Sequence, residues 1–239
     1  DRSSRCPLRS LWTRSMSELL RVDHLEKRFS SVGKKTTKRW FAPPNLHWLH
    51  AVDDVSLEIQ AGESVGLVGE SGCGKSTLCR VVARLTDSNE GTMWFDGKDI
   101  GNITPAEFGR NSARAGIQMV FQDSTTSLNP RFKVSEILEE PLIVLSRMRD
   151  AKARAARVAE LAAQVGLPKE LVTRYPHQLS GGQKARVNIA RALASKPKLV
   201  ILDEPTAALD VSVQAIILKL LDQLRRDTGN AHRKRVVRP

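Results

Sequence analysis

The chain has 239 residues with ordinary apolar and charged fractions, enough for one sizeable domain around its own core. Its net charge of +12 sits in three stretches: 1–15 (four Arg, one Asp), 30–50 (three Lys, one Arg, no acid) and 225–239 (five Arg, one Lys, one Asp). The remainder is neutral in total, which argues against a basic nucleic-acid groove on the folded body, and no apolar run is long enough to cross a bilayer.

In chain order, residues 1–15 are Arg- and Ser-rich without periodicity, and they lack the apolar stretch of a secretory leader. A strand pattern over Leu19–Leu25 follows at once on Met16, so translation is expected to begin at Met16, with 1–15 as upstream sequence or an unstructured tail. Residues 30–50 read as an inserted loop, basic and then Pro-rich at Pro43 and Pro44. Val52, Val55, Leu57 and Ile59 mark a half-buried strand. Val65–Val68 is a short apolar strand entering a Gly-rich turn, and Ser76–Leu85 reads as a helix.

That turn, Gly69, Glu70, Ser71, Gly72, Cys73, Gly74, Lys75, Ser76, fits G-x-x-x-x-G-K-[ST] at every fixed position, between a strand and a helix. Glycines let the backbone curl so that successive N–H groups point at phosphate oxygens, and the helix N-terminus adds its dipole. Lys75 supplies a cation for the terminal phosphates, and the Ser76 hydroxyl can ligate Mg²⁺. Cys73 lies inside this loop. With Cys6 and Cys79 it forms no CxxC pair, so neither zinc nor a disulfide framework is expected, in keeping with a reducing cytoplasm.

Met93–Phe95 and Ile117–Phe121 are further strands. Val134–Val165 turns helical, with a polar break around Arg147–Asp150. Leu179, Ser180, Gly181, Gly182 and Gln183 lead into a helix over Gln183–Ala194. Leu199–Leu202 is four apolar residues running into Asp203 and Glu204, the pattern of a central strand delivering carboxylates at its C-terminal edge. Asp203 would hold Mg²⁺ and Glu204 would orient or activate water. Val211–Arg226 is a last helix. Strands alternating with helices imply a parallel sheet with covered faces.

In this order and spacing, the phosphate loop, the Leu179–Gln183 turn and the carboxylate strand resemble the ABC ATPase family over 18–226. The resemblance implies an α/β fold: a P-loop NTPase core with a mainly parallel sheet, an N-terminal antiparallel β subdomain and an inserted helical subdomain at about 123–180. It implies that Gly69–Thr77 binds ATP, and that Leu179, Ser180, Gly181, Gly182 and Gln183 contact the γ-phosphate held by an opposite subunit. Gln122 matches the glutamine that senses Mg²⁺ and water and couples to a membrane partner, Asp210 the D-loop, and Phe29 the aromatic stacked on adenine. Catalysis is expected from Glu204, Lys75 and Gln122, with Mg²⁺ on Ser76, Gln122 and Asp203.

Val120–Arg131, Glu140–Leu142, Tyr175–Gln183 and Ala208–Gln214 further resemble the dipeptide/oligopeptide (nickel) importer branch. That resemblance implies ATP and Mg²⁺ as cofactors, a second ATPase subunit (identical or a paralogue), transmembrane permease subunits, and indirectly a periplasmic solute-binding protein. It implies a peripheral location at the cytoplasmic face of the inner membrane, and no nucleic acid. The family's switch histidine has no clear counterpart. His232 lies in the right window, yet no apolar strand leads to it. The chain is therefore expected to be truncated or frameshifted after about Gly229, with 227–239 a basic tail, an uncovered sheet and poor hydrolysis. A nucleotide-binding product with little hydrolysis, a non-transport ABC ATPase and a small-molecule kinase are the competing readings.

Overall fold

The computed structural model describes residues 18–32, 46–123, 126–205, 209–227 and 234–237. β1 (Glu18–Val32) pairs antiparallel with β2 (Leu46–Gln60) on one side and β4 (Glu90–Phe95) on the other, and β5 (Lys98–Asp99) pairs with β4, giving the order β2-β1-β4-β5. Alternation puts Leu20 and Val22 on the buried face. A bulge at His24 and Asp54, both at positive φ, slips the register, so Leu25 rather than Glu26 points inward. His24 Nδ1 lies 2.6 Å from Asp54 Oδ1 across it.

The expected inserted loop over 30–50 is corrected at both flanks. Ser30 pairs with Trp48, Ser31 with His47 and Val32 with Leu46, so the loop's ends continue the hairpin. Hydrogen bonding across the two strands overrides a composition that reads as loop. Residues 33–45 and 1–17 lie outside the described residues.

β3 (Ser64–Leu67) leads through the glycine-rich turn to α1 (Lys75–Val82). α2 (Pro105–Phe108) and α3 (Ala113–Gly116) precede β6 (Ile117–Val120), which pairs parallel with β7 (Leu199–Leu202). This ladder divides two cores. Ile117, Leu199 and Ile201 pack with Leu20, Val22, Val81 and Met93 on one side; Val120 and Val200 pack with the helices on the other. That two-sided covering is why β7 reads as a continuous apolar run, and β6 does so except at Gln118, whose buried amide donates to Arg114 O.

α4 (Val134–Val144) and α5 (Ala151–Gln164) flank the polar break, and α6 (Gly181–Leu193) crosses both. Val158, Leu161, Ala162 and Val165 recur at helical spacing and are buried. Asp150 caps α5 by accepting from Lys152 N at 2.9 Å. α7 (Val211–Asp227) buries Ile217, Leu220 and Leu224 against the same core.

The basic tail expected over 227–239 is corrected at 234–237. There β8 (Lys234–Val237) pairs parallel with β3, Ser64 opposite Lys234 and Leu67 opposite Val237. The strand supplies partners to backbone groups of β3 that would otherwise lie unpaired. Two valines after a basic run carry too little alternation to announce it. His232 lies outside the described residues. Among those residues no helix is long and apolar enough to cross a membrane.

Candidate functional site

The turn between β3 and α1 requires glycine twice over. Gly72 and Gly74 have φ of 85° and 93°, values that cost a residue with a Cβ. At Gly74 a Cβ would also fall 1.9 Å from the Ala51 carbonyl oxygen, so β2 presses on the start of α1. Lys75 folds back over the turn: Nζ donates to Gly69 O at 2.8 Å and Glu70 O at 2.6 Å, and lies 3.5 Å from Cys73 Sγ. The ammonium is thereby held against the loop's own carbonyl oxygens. Gly69, Glu70, Ser71, Gly72 and Cys73 are exposed, and Gly74 to Thr77 half-buried.

At the second residue of α1, Ser76 Oγ donates to Asp203 Oδ1 at 2.7 Å. Asp203 is buried, at 5% exposure, and its N–H donates to Val120 O, so the β6–β7 ladder sets its position. The next residue, Glu204, is exposed with φ of 45°, a left-handed conformation that a non-glycine residue adopts at some cost. Its Oε2 accepts from Gln122 Nε2 at 2.9 Å. The end of β7, the residues just past β6 and the start of α1 therefore meet at one edge. Lys75, Ser76, Gln122, Asp203 and Glu204, expected to act together, are brought together. Cys79, one turn deeper in α1, has its thiol pushed up to about 11 by burial and then by the Asp203 charge.

The Leu179–Gln183 turn is built separately. Ser180 Oγ accepts from Gln183 N at 3.3 Å, and Ser180 N donates to Gln183 Oε1 at 2.9 Å, a reciprocal cap on α6. Leu179 is buried, Gly182 and Gln183 half-buried, and Ser180 and Gly181 exposed. The capping bonds are internal to the turn, and the exposed Ser180 and Gly181 leave the N-terminal end of α6 presented outward. Asp210 caps α7: Oδ1 accepts from Ser212 Oγ at 2.5 Å and Val213 N at 2.9 Å, and these bonds hold its carboxyl below the usual range. Phe29 pairs with Leu49 on the ribbon, 42% exposed, with Lys27 Nζ 5.2 Å from the ring centroid. It is not a core residue.

A cleft of ≈ 640 Å³ opens between α1, β6 and the helices, with Gln122, Asp203 and Arg191 on its wall. Arg191 Nη1 donates to Ser127 O at 2.6 Å, tying the turn after Gln122 to α6. Burial pushes its guanidinium down and Glu140 opposes that. No pattern in the sequence flags Arg191, because its partner is a backbone oxygen remote in the chain. The Ala51 carbonyl that presses on Gly74 has no sequence signal for the same reason.

The donors suit a small hard cation. The Ser76 hydroxyl and the Asp203 carboxylate already share one point, with the Gln122 amide and a second carboxylate beside them, and oxygen donors of this kind fit Mg²⁺.

A family model described as ABC transporter matches residues 52–207. The oligopeptide transport ATP-binding protein OppF of Escherichia coli (strain K12) is 43% identical over 218 residues, 91% of this chain and 63% of its own length. The oligopeptide transport ATP-binding protein AppF of Bacillus subtilis (strain 168) is 48% identical over 177 residues, 74% of this chain and 53% of its own. The chain thus spans about 63% of the length of the first of these relatives. Among solved structures, the dimeric post-hydrolysis form of the ATP-binding cassette MJ0796 bound to ADP and Pi superposes with a TM-score of 0.75 at 30% identity, covering 92% of this chain and 87% of that one.

Proposed function

The chain belongs to the ABC transporter family, and from that premise we propose that it is the ATP-binding and ATP-hydrolysing subunit of an importer for peptides or related small solutes. The observation that carries the proposal is the paired contact at one sheet edge, Ser76 with Asp203 and Gln122 with Glu204, in front of the Lys75 loop. Each side chain there has a task that needs its chemistry.

The backbone N–H groups of the loop and the α1 N-terminus receive the phosphates. Lys75 exchanges its bonds to Gly69 O and Glu70 O for bonds to phosphate oxygens, so binding swaps neutral acceptors for charged ones. Ser76, Asp203 and Gln122 would hold Mg²⁺, which neutralises phosphate charge when bound. Glu204, aimed by its strained backbone and by the Gln122 amide, orients the attacking water and takes up its proton. Phe29, exposed on the ribbon, stacks on adenine.

One chain supplies half of the closed site. The capped, outward end of α6, with Ser180, Gly181, Gly182 and Gln183, completes the site held by a second subunit, identical or paralogous. The named relatives act in oligopeptide transport, and the solved cassette is a dimer; both support a pair of ATPase subunits docked on permease subunits at the cytoplasmic face of the inner membrane. A periplasmic binding protein would deliver the solute to the permease, and no nucleic acid is involved. Gln122, on the wall of the inter-lobe cleft, is placed to report nucleotide state to that permease.

The test pairs an assay with a capture. Glu204→Gln should keep ATP affinity within about threefold and lose hydrolysis by about a hundredfold or more. The parent chain, pulled from its own membranes, should bring permease subunits with it. Equal turnover in Glu204→Gln and parent, or capture without any membrane protein, would sink the proposal.

A further inference from the structure

The two glycines of the Leu179–Gln183 turn are not there for backbone freedom. Neither Gly181 nor Gly182 has a positive φ, and both lie in the first turn of α6, where any residue fits. What they lack is room. A Cβ on Gly182 would lie 2.7 Å from Val213 Cγ1, and one on Gly181 would lie 3.2 Å from Leu209 Cδ2. The Leu209 methyl ends a side chain that can turn aside. Val213 cannot: it is branched at Cβ and sits in the first turn of α7, where one rotamer dominates. Its backbone is held as well, since Val213 N donates to Asp210 Oδ1 at 2.9 Å.

We propose that Val213 is a positioning residue for the outward end of α6: its methyls, seated on the bare Cα of Gly182, set where the Ser180–Gln183 N–H groups are presented to the partner subunit. Gly182 is then glycine because of Val213, not because a phosphate must approach it. Asp210, as the cap of α7, keeps Val213 in register. The start of α7 is in this way tied to the Leu179–Gln183 turn within one chain. This rests on the reading that the turn completes a second subunit's nucleotide site.

The test uses the full chain in a Glu204→Gln background, where ATP-driven pairing accumulates and light scattering measures it. Gly182→Ala should weaken pairing about tenfold or more, because overpacking a stiff contact displaces the helix end. Gly182→Ala combined with Val213→Ala removes the clash, and should return pairing to within about threefold of the background chain. Thermal midpoints, measured alongside, separate loss of fold from loss of presentation. A double variant that pairs as poorly as Gly182→Ala while folding normally would overturn the inference, because the ligand and not Val213 would then exclude a Cβ. Pairing unaffected by Gly182→Ala would overturn it too. Failure of the Glu204→Gln background chain itself to pair with ATP would instead defeat the underlying reading.

Discussion

Cys73 and Cys79 are two thiols of one loop and helix with opposite surroundings. Cys73 is exposed beside the Lys75 ammonium, while Cys79 is buried with its pKa pushed up to about 11. A thiolate is the reacting form. Alkylation at neutral pH should therefore modify Cys73 and spare Cys79, read by peptide mass mapping, and the modified chain should lose nucleotide binding, because bulk at Cys73 blocks the loop. Equal ATP binding before and after stoichiometric modification would refute this. The Cys79 shift also has a sign for stability. A folded pKa raised above 9.0 means that the neutral thiol is favoured in the folded state. The associated stability is present below about pH 9 and is lost as pH rises toward about 11. Denaturant midpoints of Cys79→Ala should be flatter across that window than those of the parent.

At the scale of elements, caps and faces explain where each helix sits. Asp150, Ser180 and Asp210 each satisfy N–H groups at a helix start with a side-chain oxygen. The face of α5 at Val158, Leu161 and Ala162 then closes against α4 and α6. Leu161 is fully buried at 0% exposure. Leu161→Ala should cost about 2–5 kcal/mol in urea unfolding through lost burial and the cavity left behind. A loss below about 1 kcal/mol would mean that this lobe is packed loosely enough to collapse around the gap.

For the whole molecule, the informative contacts are those joining parts distant in the chain. Ser76 to Asp203 joins the phosphate loop to the carboxylate strand, and Arg191 to Ser127 O joins α6 to the turn after Gln122. The second contact lies on the wall of the cleft that Gln122 also lines. Arg191→Met should leave ATP affinity within about threefold yet cut turnover about tenfold, because Gln122 loses its backing while the loop is untouched. Unchanged turnover would show that Gln122 is held from elsewhere.

Local chemistry was written plainly in the sequence. The Gly69–Ser76 pattern, the apolar run into Asp203 and Glu204, and the Ser180–Gln183 cap depend on neighbours in the chain, and short-range patterns survive in a string of letters. The longer helices and strands of the body were legible for the same reason, since their buried faces repeat at fixed periods, whereas β5, α2 and α3 are too short to show a period. Only the tertiary structure decided the rest. It showed that the flanks of the 30–50 stretch pair as a ribbon, that 234–237 lies beside β3, and that Gly74 is pressed by the Ala51 carbonyl. It also showed Gly182 pressed by Val213. Each of these is a contact between backbone or small groups with no periodic trace, and steric room across space is a quantity that no residue carries alone.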